Sequence, residues 1–585
     1  MSKKRLKPIL LLILLVCTAG VIFGCANHNK NQLIQRQFDS FMNEIFIQEV
    51  QSDTLSLNYS LANPEKYGIS ENTSTFGEYS LAQMNKDWNK SNDNLKKLQN
   101  YNFNKLSSKQ KLTYEIVLSH LQQQIKFKQY PYYAECLGPT TGIQAQLPIL
   151  LAEFSFNDQQ DIEEYLKLLP KIKDYFANII QYEQEKSKKG LFMSDPVAKR
   201  IIEQCNSFIE NPQSNFLIEY FNEKISKFKG LSKNKINEYK DQNTEAILCY
   251  VIPAYQSLIN ALTDLLGTGK NNAGLYYYSK GKDYYECLAQ SKVGSNETMD
   301  QMIALLNSGI NRNMKKLNAL TESDPNVVNQ YLDFTSFPLT NPTEILKDLK
   351  KDIAKDFPPA VPVNCQIKYV PDSLSSFLSP AMYLVPPIDN FSNNNIYING
   401  NNEETLSMIY TTVAHEGYPG HLYQCVYFRN QNPAPIRNIL DFTGYDEGWA
   451  TYVEFYSYHI SGIDDKLADF LEYNNIIVLS MYARADIGIH YQGWKKDQVV
   501  KYITQYINDD TAAEQIYTTL LEEPAIYLPY AVGYLQIEDL RNNAQKALGD
   551  KFSPKEFHKF LLDIGPSPFE IIKEHMNTWI QSSKK

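Results

Sequence analysis

Apolar residues recur at helical spacing along most of the chain. Phe38, Phe41, Ile45 and Phe46 form one stripe, Leu95 and Leu98 belong to a second helix, and Lys109 to Lys128 reads as a third. The run 158–187 opens on Asp-Gln-Gln-Asp and carries Leu166, Leu169, Ile172, Phe176 and Ile180 at the same period. Pro170 either bends that element or starts a new one, because proline cannot donate the interior hydrogen bond. Another helix runs from Thr298 to Leu320. Between these lie a break at Gly138-Pro-Thr-Thr-Gly, a lysine-rich stretch from Lys224 to Lys240 that reads as a solvated face, and the aromatic segment Gly274 to Glu286. That last segment serves as core or as the rim of a cleft.

The pattern changes over 357–401. Pro358, Pro359, Pro362, Pro371 and Pro380 exclude long helices, and Val363 to Val370 and Asn395 to Asn399 read as short strands. The expectation is therefore a mainly α protein with a small β element, divided into an N-terminal helical lobe over 36–345 and a second lobe over 346–585. With 585 residues the chain exceeds one ordinary domain, and 43% hydrophobic against 21% charged residues is enough apolar content for a packed core.

The first residues have a different purpose. Lys3, Lys4, Arg5 and Lys7 precede an apolar run from Pro8 to Gly24, and Ile22-Phe23-Gly24-Cys25 resembles the processing site of a bacterial lipoprotein. The expectation is a leader over 1–24, lipidation of Cys25 as the membrane anchor, and a polar tether over 25–35; an uncleaved anchor helix is the alternative. Removing the leader takes the net charge from −9 to −13 with the loss of its four cations, which argues against nucleic-acid partners. The six cysteines beyond the leader are widely spaced and define no disulfide framework; buried thiols are the default.

One stretch carries chemistry: Thr-Thr-Val-Ala-His415-Glu416-Gly-Tyr-Pro-Gly-His421, after an apolar run that reads as a buried helix. Two imidazoles and a glutamate are the components of a zinc helix, in which the ligands lie four apart on one face and the Glu acts on water. Here the histidines are six apart, roughly 240° around a regular helix. Either Tyr418 and Pro419 loop out as a bulge that returns His421 to the metal face, or the helix is capped near Gly417 and His421 opens the next one. Glu447 follows 26 residues later, at the start of an apolar helical stretch from Trp449 to Ile460, and supplies the carboxylate that catalytic zinc sites take beside two histidines. No Gly-x-Ser-x-Gly elbow and no phosphate-binding loop competes with it.

These motifs, with Asp486-Ile-Gly-Ile-His490-Tyr-Gln-Gly-Trp494, Tyr530-Ala-Val-Gly533, Leu540-Arg541 and Phe557-His558, resemble a bacterial family of unknown function, often lipoproteins, marked by His-Glu-x-x-Pro-Gly-His and Glu-Gly-Trp-Ala. More distantly the arrangement is similar to gluzincin zinc peptidases such as neurolysin, angiotensin-converting enzyme and thermostable carboxypeptidases. The resemblance covers roughly residues 36–580 and implies a two-lobed helical fold with a deep cleft. It implies a Zn²⁺ cofactor held by His415, His421 and Glu447, with Glu416 as general base and a peptide as substrate. His490 and Tyr530 become candidate oxyanion donors. Asp446, Glu454 and Asp486 are candidates to hold the ligand imidazoles, and Arg484 and Arg541 to grip a substrate carboxylate. Asn395 to Asn399 is the candidate strand for pairing with substrate, or a plain hairpin. Two positions depart from the family: Leu422 stands where a second His is common, and Ala531 where Lys is usual. The expected activity is metallopeptidase; a non-cleaving peptide-binding lipoprotein and a cell-wall peptide amidase are the alternatives.

Overall fold

The computed structural model describes residues 31–69, 74–370, 380–401, 406–507 and 509–584. The expected leader over 1–24, Cys25 and Pro371 lie outside them. The expected tether ends early, because residues 31–50 are already helical and bury Phe38, Phe41, Ile45 and Phe46. Helices dominate throughout, as the apolar periodicity requires. Pro170 does start a new element: a helix over Gln159–Leu168 gives way to a single tight turn and then to Ile172–Lys188. Lys224 departs from the solvated face expected of it. It is half-buried, its Nζ donates to the carbonyls of Ala152 and Phe154, and loss of solvent around the ammonium pulls its pKa down to about 8.

The hydrophobic side chains do not divide at residue 345. One core gathers the first helices (Phe38 to Leu121) together with residues from Leu275 to Met576. A second, separate core is made by residues between Cys136 and Leu262, joined by Phe76. The apolar stripe near the N-terminus has its complement in the C-terminal half, so the chain leaves the first core, builds the second and returns. The segment Gly274 to Glu286 is used both ways, with Tyr284 and Tyr285 in the core and Tyr276 and Tyr277 exposed.

Six helices and one sheet help build the half of the molecule that holds the site. Helix α1 (Met299–Ser323) starts at Thr298, whose side chain forms a reciprocal capping box with Gln301. The sheet comprises β1 (Asn364–Tyr369), β2 (Ala381–Leu384) and β3 (Asn393–Ile398) in the order β1-β3-β2. Strand β3 runs parallel to β1 and antiparallel to β2, with Tyr383 opposite Ile396. The two expected strands therefore form, but β3 is central and has no free edge. After the sheet come α2 (Ile409–Glu416), α3 (His421–Asn430) and α4 (Thr443–Tyr458), then α5 (Asp465–His490), which packs along α1, and α6 (Leu528–Leu548).

Helices α4 and α6 cross backbone to backbone. A Cβ on Gly448 would lie 2.5 Å from the Gly533 carbonyl carbon, and one on Gly533 would lie 2.1 Å from the Gly444 oxygen. Any larger side chain at this crossing would push apart the helix that carries Glu447 and the helix that carries Tyr530.

Candidate metal centre

Helix α2 ends at Glu416 and α3 begins at His421, so the bulge is not what joins the histidines. The chain between them turns through Gly417, a cis Tyr418–Pro419 peptide bond and Gly420. The Gly420 N–H donates to the Ala414 carbonyl at 3.0 Å, and the Tyr423 N–H to the Gly417 carbonyl at 3.1 Å. A Cβ on Gly420 would sit 1.8 Å from the His415 carbonyl oxygen, so this close return of the chain requires glycine. The Trp449 indole N–H reaches across from α4 to the Pro419 carbonyl at 3.0 Å and holds the turn. Breaking the helix restores what the spacing of six takes away: the two imidazole rings lie 4.9 Å apart, nearly perpendicular.

Glu447, in the first turns of α4, faces both rings. Its Oε2 is 3.4 Å from His415 Nε2 and 3.5 Å from His421 Nε2. One donor atom from each of the three residues lies within 4.8 Å of the others. Glu454, seven residues further along the same face of α4, lies 2.9 Å from His415 Nδ1 through its Oε2. With Nδ1–H donating to this carboxylate, His415 presents the Nε2 lone pair to Glu447 and His421. Burial works against a proton on either imidazole, but the carboxylates of Glu447 and Glu454 outweigh it at His415, and Glu447 outweighs it at His421, so both pKa values rise. The Glu447 carboxyl moves the other way, because the two histidines overcome its burial. Beside it, burial pushes Asp446 up to about 8.

The donor set fits a zinc ion. Glu447 Oε2 is buried and makes no hydrogen bond, since both imidazole contacts are longer than a normal one. Two neutral imidazoles and one carboxylate, with His415 held from behind by Glu454, match the usual catalytic zinc donors. A dication also meets the charge imbalance that otherwise draws protons onto the histidines.

The three donors open onto a cavity of about 500 Å³ lined by Thr412, Glu416, Glu454 and Tyr530, with Pro380 to Tyr383 along one wall. The strand at this wall is β2, one of the sheet's two edge strands, and not the segment 395–399 expected from the sequence. Glu416 Oε2 accepts the Tyr383 main-chain N–H at 2.7 Å. Tyr530, in the first turn of α6, stacks over His415 with ring centroids 6.5 Å apart.

His490 is not brought to the site. It is fully buried at the end of α5, accepts the Leu275 N–H on Nδ1 at 3.1 Å and donates from Nε2 to the Leu520 carbonyl at 2.8 Å. It is a structural histidine, and so is excluded as an oxyanion donor at this cavity. Asp486 is equally remote in role, accepting the Tyr285 hydroxyl and the Ala525 N–H. Arg484 stacks on Trp494 and Arg541 lies over Phe552, so neither lines the cavity. The two departures from the family fall on side chains that point into the core: Leu422 is 0% exposed and Ala531 is 1% exposed.

A mainly helical fold with a small sheet, and a His-His-Glu cluster in a cavity beside the sheet edge, define the class. The chain belongs to the family described as bacterial protein of unknown function (DUF885), whose model matches residues 64–576. No curated protein matches it in sequence. A solved structure described as "the putative lipoprotein from Colwellia psychrerythraea" shares the fold, with a TM-score of 0.81 at 19% identity over 94% of this chain and 99% of that one. A second, a "putative lipoprotein of unknown function from Shewanella oneidensis", gives 0.62 at 16% identity over 92% and 99%. A "putative oligoendopeptidase F from Bacillus anthracis str. Ames" gives a TM-score of 0.31 at 10% identity over 87% of this chain and 97% of that one.

Proposed function

We propose that this chain is a zinc-dependent metallopeptidase, held at the outer face of the cell membrane by a lipid on Cys25. The observation that carries the catalytic reading is the buried, unpartnered Glu447 Oε2 facing two imidazole Nε2 atoms at the floor of an open cavity. The descriptions of the two solved structures with the same fold support the anchor.

His415, His421 and Glu447 would hold the ion, and Glu454 keeps His415 in the tautomer that leaves Nε2 free. When bound, zinc supplies Lewis-acid polarisation of a peptide carbonyl and lowers the pKa of water. Glu416 takes a proton from the attacking water and delivers it to the leaving amine. The Tyr530 hydroxyl donates to the oxygen on which negative charge develops; burial and the neighbouring Glu447 and Glu416 keep that hydroxyl protonated. The substrate lies along the free edge of β2, where main-chain groups face the cavity.

The direct test of this chemistry is Glu416→Gln, assayed with a peptide library. The expected result is full zinc content with peptide cleavage lowered by about 10²–10⁴-fold. Wild-type cleavage rates in that variant would discard Glu416 as the base.

A further inference from the structure

We propose that the main-chain N–H of Tyr383 is the positioning group for the Glu416 carboxylate. The sheet register aims it. The Asn399 N–H donates to the Pro380 carbonyl at 2.9 Å, and β2 pairs antiparallel with β3. In an antiparallel pair the hydrogen-bonded residues alternate, so Pro380, Met382 and Leu384 turn their main-chain groups to β3. Ala381 and Tyr383 turn theirs outward, and both line the cavity. The outward Tyr383 N–H meets Glu416 Oε2 at 2.7 Å, the short distance of a charge-assisted hydrogen bond.

Glu416 needs such a support. It is the last residue of α2, and the chain turns away directly after it. A glutamate there loses rotamer entropy when it is fixed, and among the described residues this is the side chain's one hydrogen bond. The donor itself is rigid. The Tyr383 ring is buried, and its hydroxyl donates to Asn394 Oδ1 at 2.6 Å across the sheet. One carboxylate oxygen is thus tied to the sheet, and the other, Oε1, is left for the proton the base must carry. Sheet and zinc helix are joined through this contact, so the base keeps its place relative to a substrate lying on β2.

The role assigned to Glu416 rests on the peptidase reading, and the test has one arm that does not. Amide hydrogen exchange is followed at Tyr383 in wild type, Glu416→Ala and Glu416→Gln. Glu416→Ala removes the acceptor, and Tyr383 exchange is expected to rise about tenfold, the equivalent of one net hydrogen bond. Glu416→Gln keeps an acceptor oxygen and is expected to keep the protection. Unchanged Tyr383 exchange in Glu416→Ala overturns the proposal, whether or not the protein cleaves any peptide.

The second arm compares Tyr383→Pro with Tyr383→Ala. Both lose the ring, but only proline loses the N–H, and an outward N–H on an edge strand is where proline is tolerated. With equal zinc content and equal KM, kcat in the proline variant is expected to fall on the order of tenfold to a hundredfold below the alanine variant. Equal kcat values in two folded variants also overturn the proposal; if the proline variant does not fold, the exchange arm decides.

Discussion

At the scale of single residues, the site depends on which side chains are held and by what. His415 is fixed from behind by Glu454, and a ligand imidazole loses affinity for its ion when such a partner is removed. Glu454→Ala is therefore expected to weaken zinc binding by about 10–100-fold, measured by competition with a chelator. Unchanged affinity would show that Glu454 is only a surface carboxylate. The sequence made His415, His421, Glu416 and Glu447 legible because residue type and order alone define the motif. It did not distinguish Glu454 from Asp486 as a support. Both are carboxylates on helices, and only the fold shows that one meets His415 while the other meets Tyr285 and Ala525. His490 failed for a similar reason: it looks like a functional histidine in sequence, yet both ring nitrogens are already spent on the backbone.

At the scale of elements, the site is made by interruptions and close crossings. The spacing of six between the histidines is resolved by ending one helix and starting another, with Gly420 allowing the chain to return within contact of His415. Proline and glycine announced a break, but the direction of the new helix depends on Trp449, 28 residues beyond His421 in the chain and bonded to Pro419. Gly448 and Gly533 belong to the family's motifs. Their reason is the backbone crossing that sets Glu447 beside Tyr530. Gly448→Ala places a Cβ against the Gly533 backbone, and overpacking of this kind is expected to cost about 1–3 kcal/mol. A lowered thermal midpoint with weakened zinc binding is the expected result. An unchanged midpoint would mean that the crossing is loose. The sheet carries the same lesson: both strands were legible from their composition, but pairing order is a tertiary property, and it put β3 in the centre and β2 at the edge beside the cavity.

At the scale of the whole molecule, two large cores share one chain, and the first is closed by helices from both ends of it. Local periodicity revealed the helices but not which of them pack together, so the expected boundary at 345 fell inside a continuous core. Buried histidines link this packing to pH. Burial lowers the pKa of His490 to about 4, and that of His558 likewise, from the ordinary value of 6.5. Each is neutral when folded, so its contribution is complete above pH 6.5 and is lost as pH falls from 6.5 toward 4, where the unfolded chain takes up the proton first. For His490 the loss is about 3 kcal/mol at pH 4. His490→Gln, which keeps an N–H for the Leu520 carbonyl, is expected to flatten the fall of the thermal midpoint between pH 6.5 and 4. The same slope in both proteins would contradict a neutral buried His490.

The central claim is that His415, His421 and Glu447 share one zinc ion, and metal analysis of the purified protein tests it most directly. The account predicts about one zinc per chain in wild type, and loss of it in folded His415→Ala, His421→Ala and Glu447→Ala variants. A wild-type protein that takes up no zinc when it is supplied, or variants that hold it as well as wild type does, would contradict it.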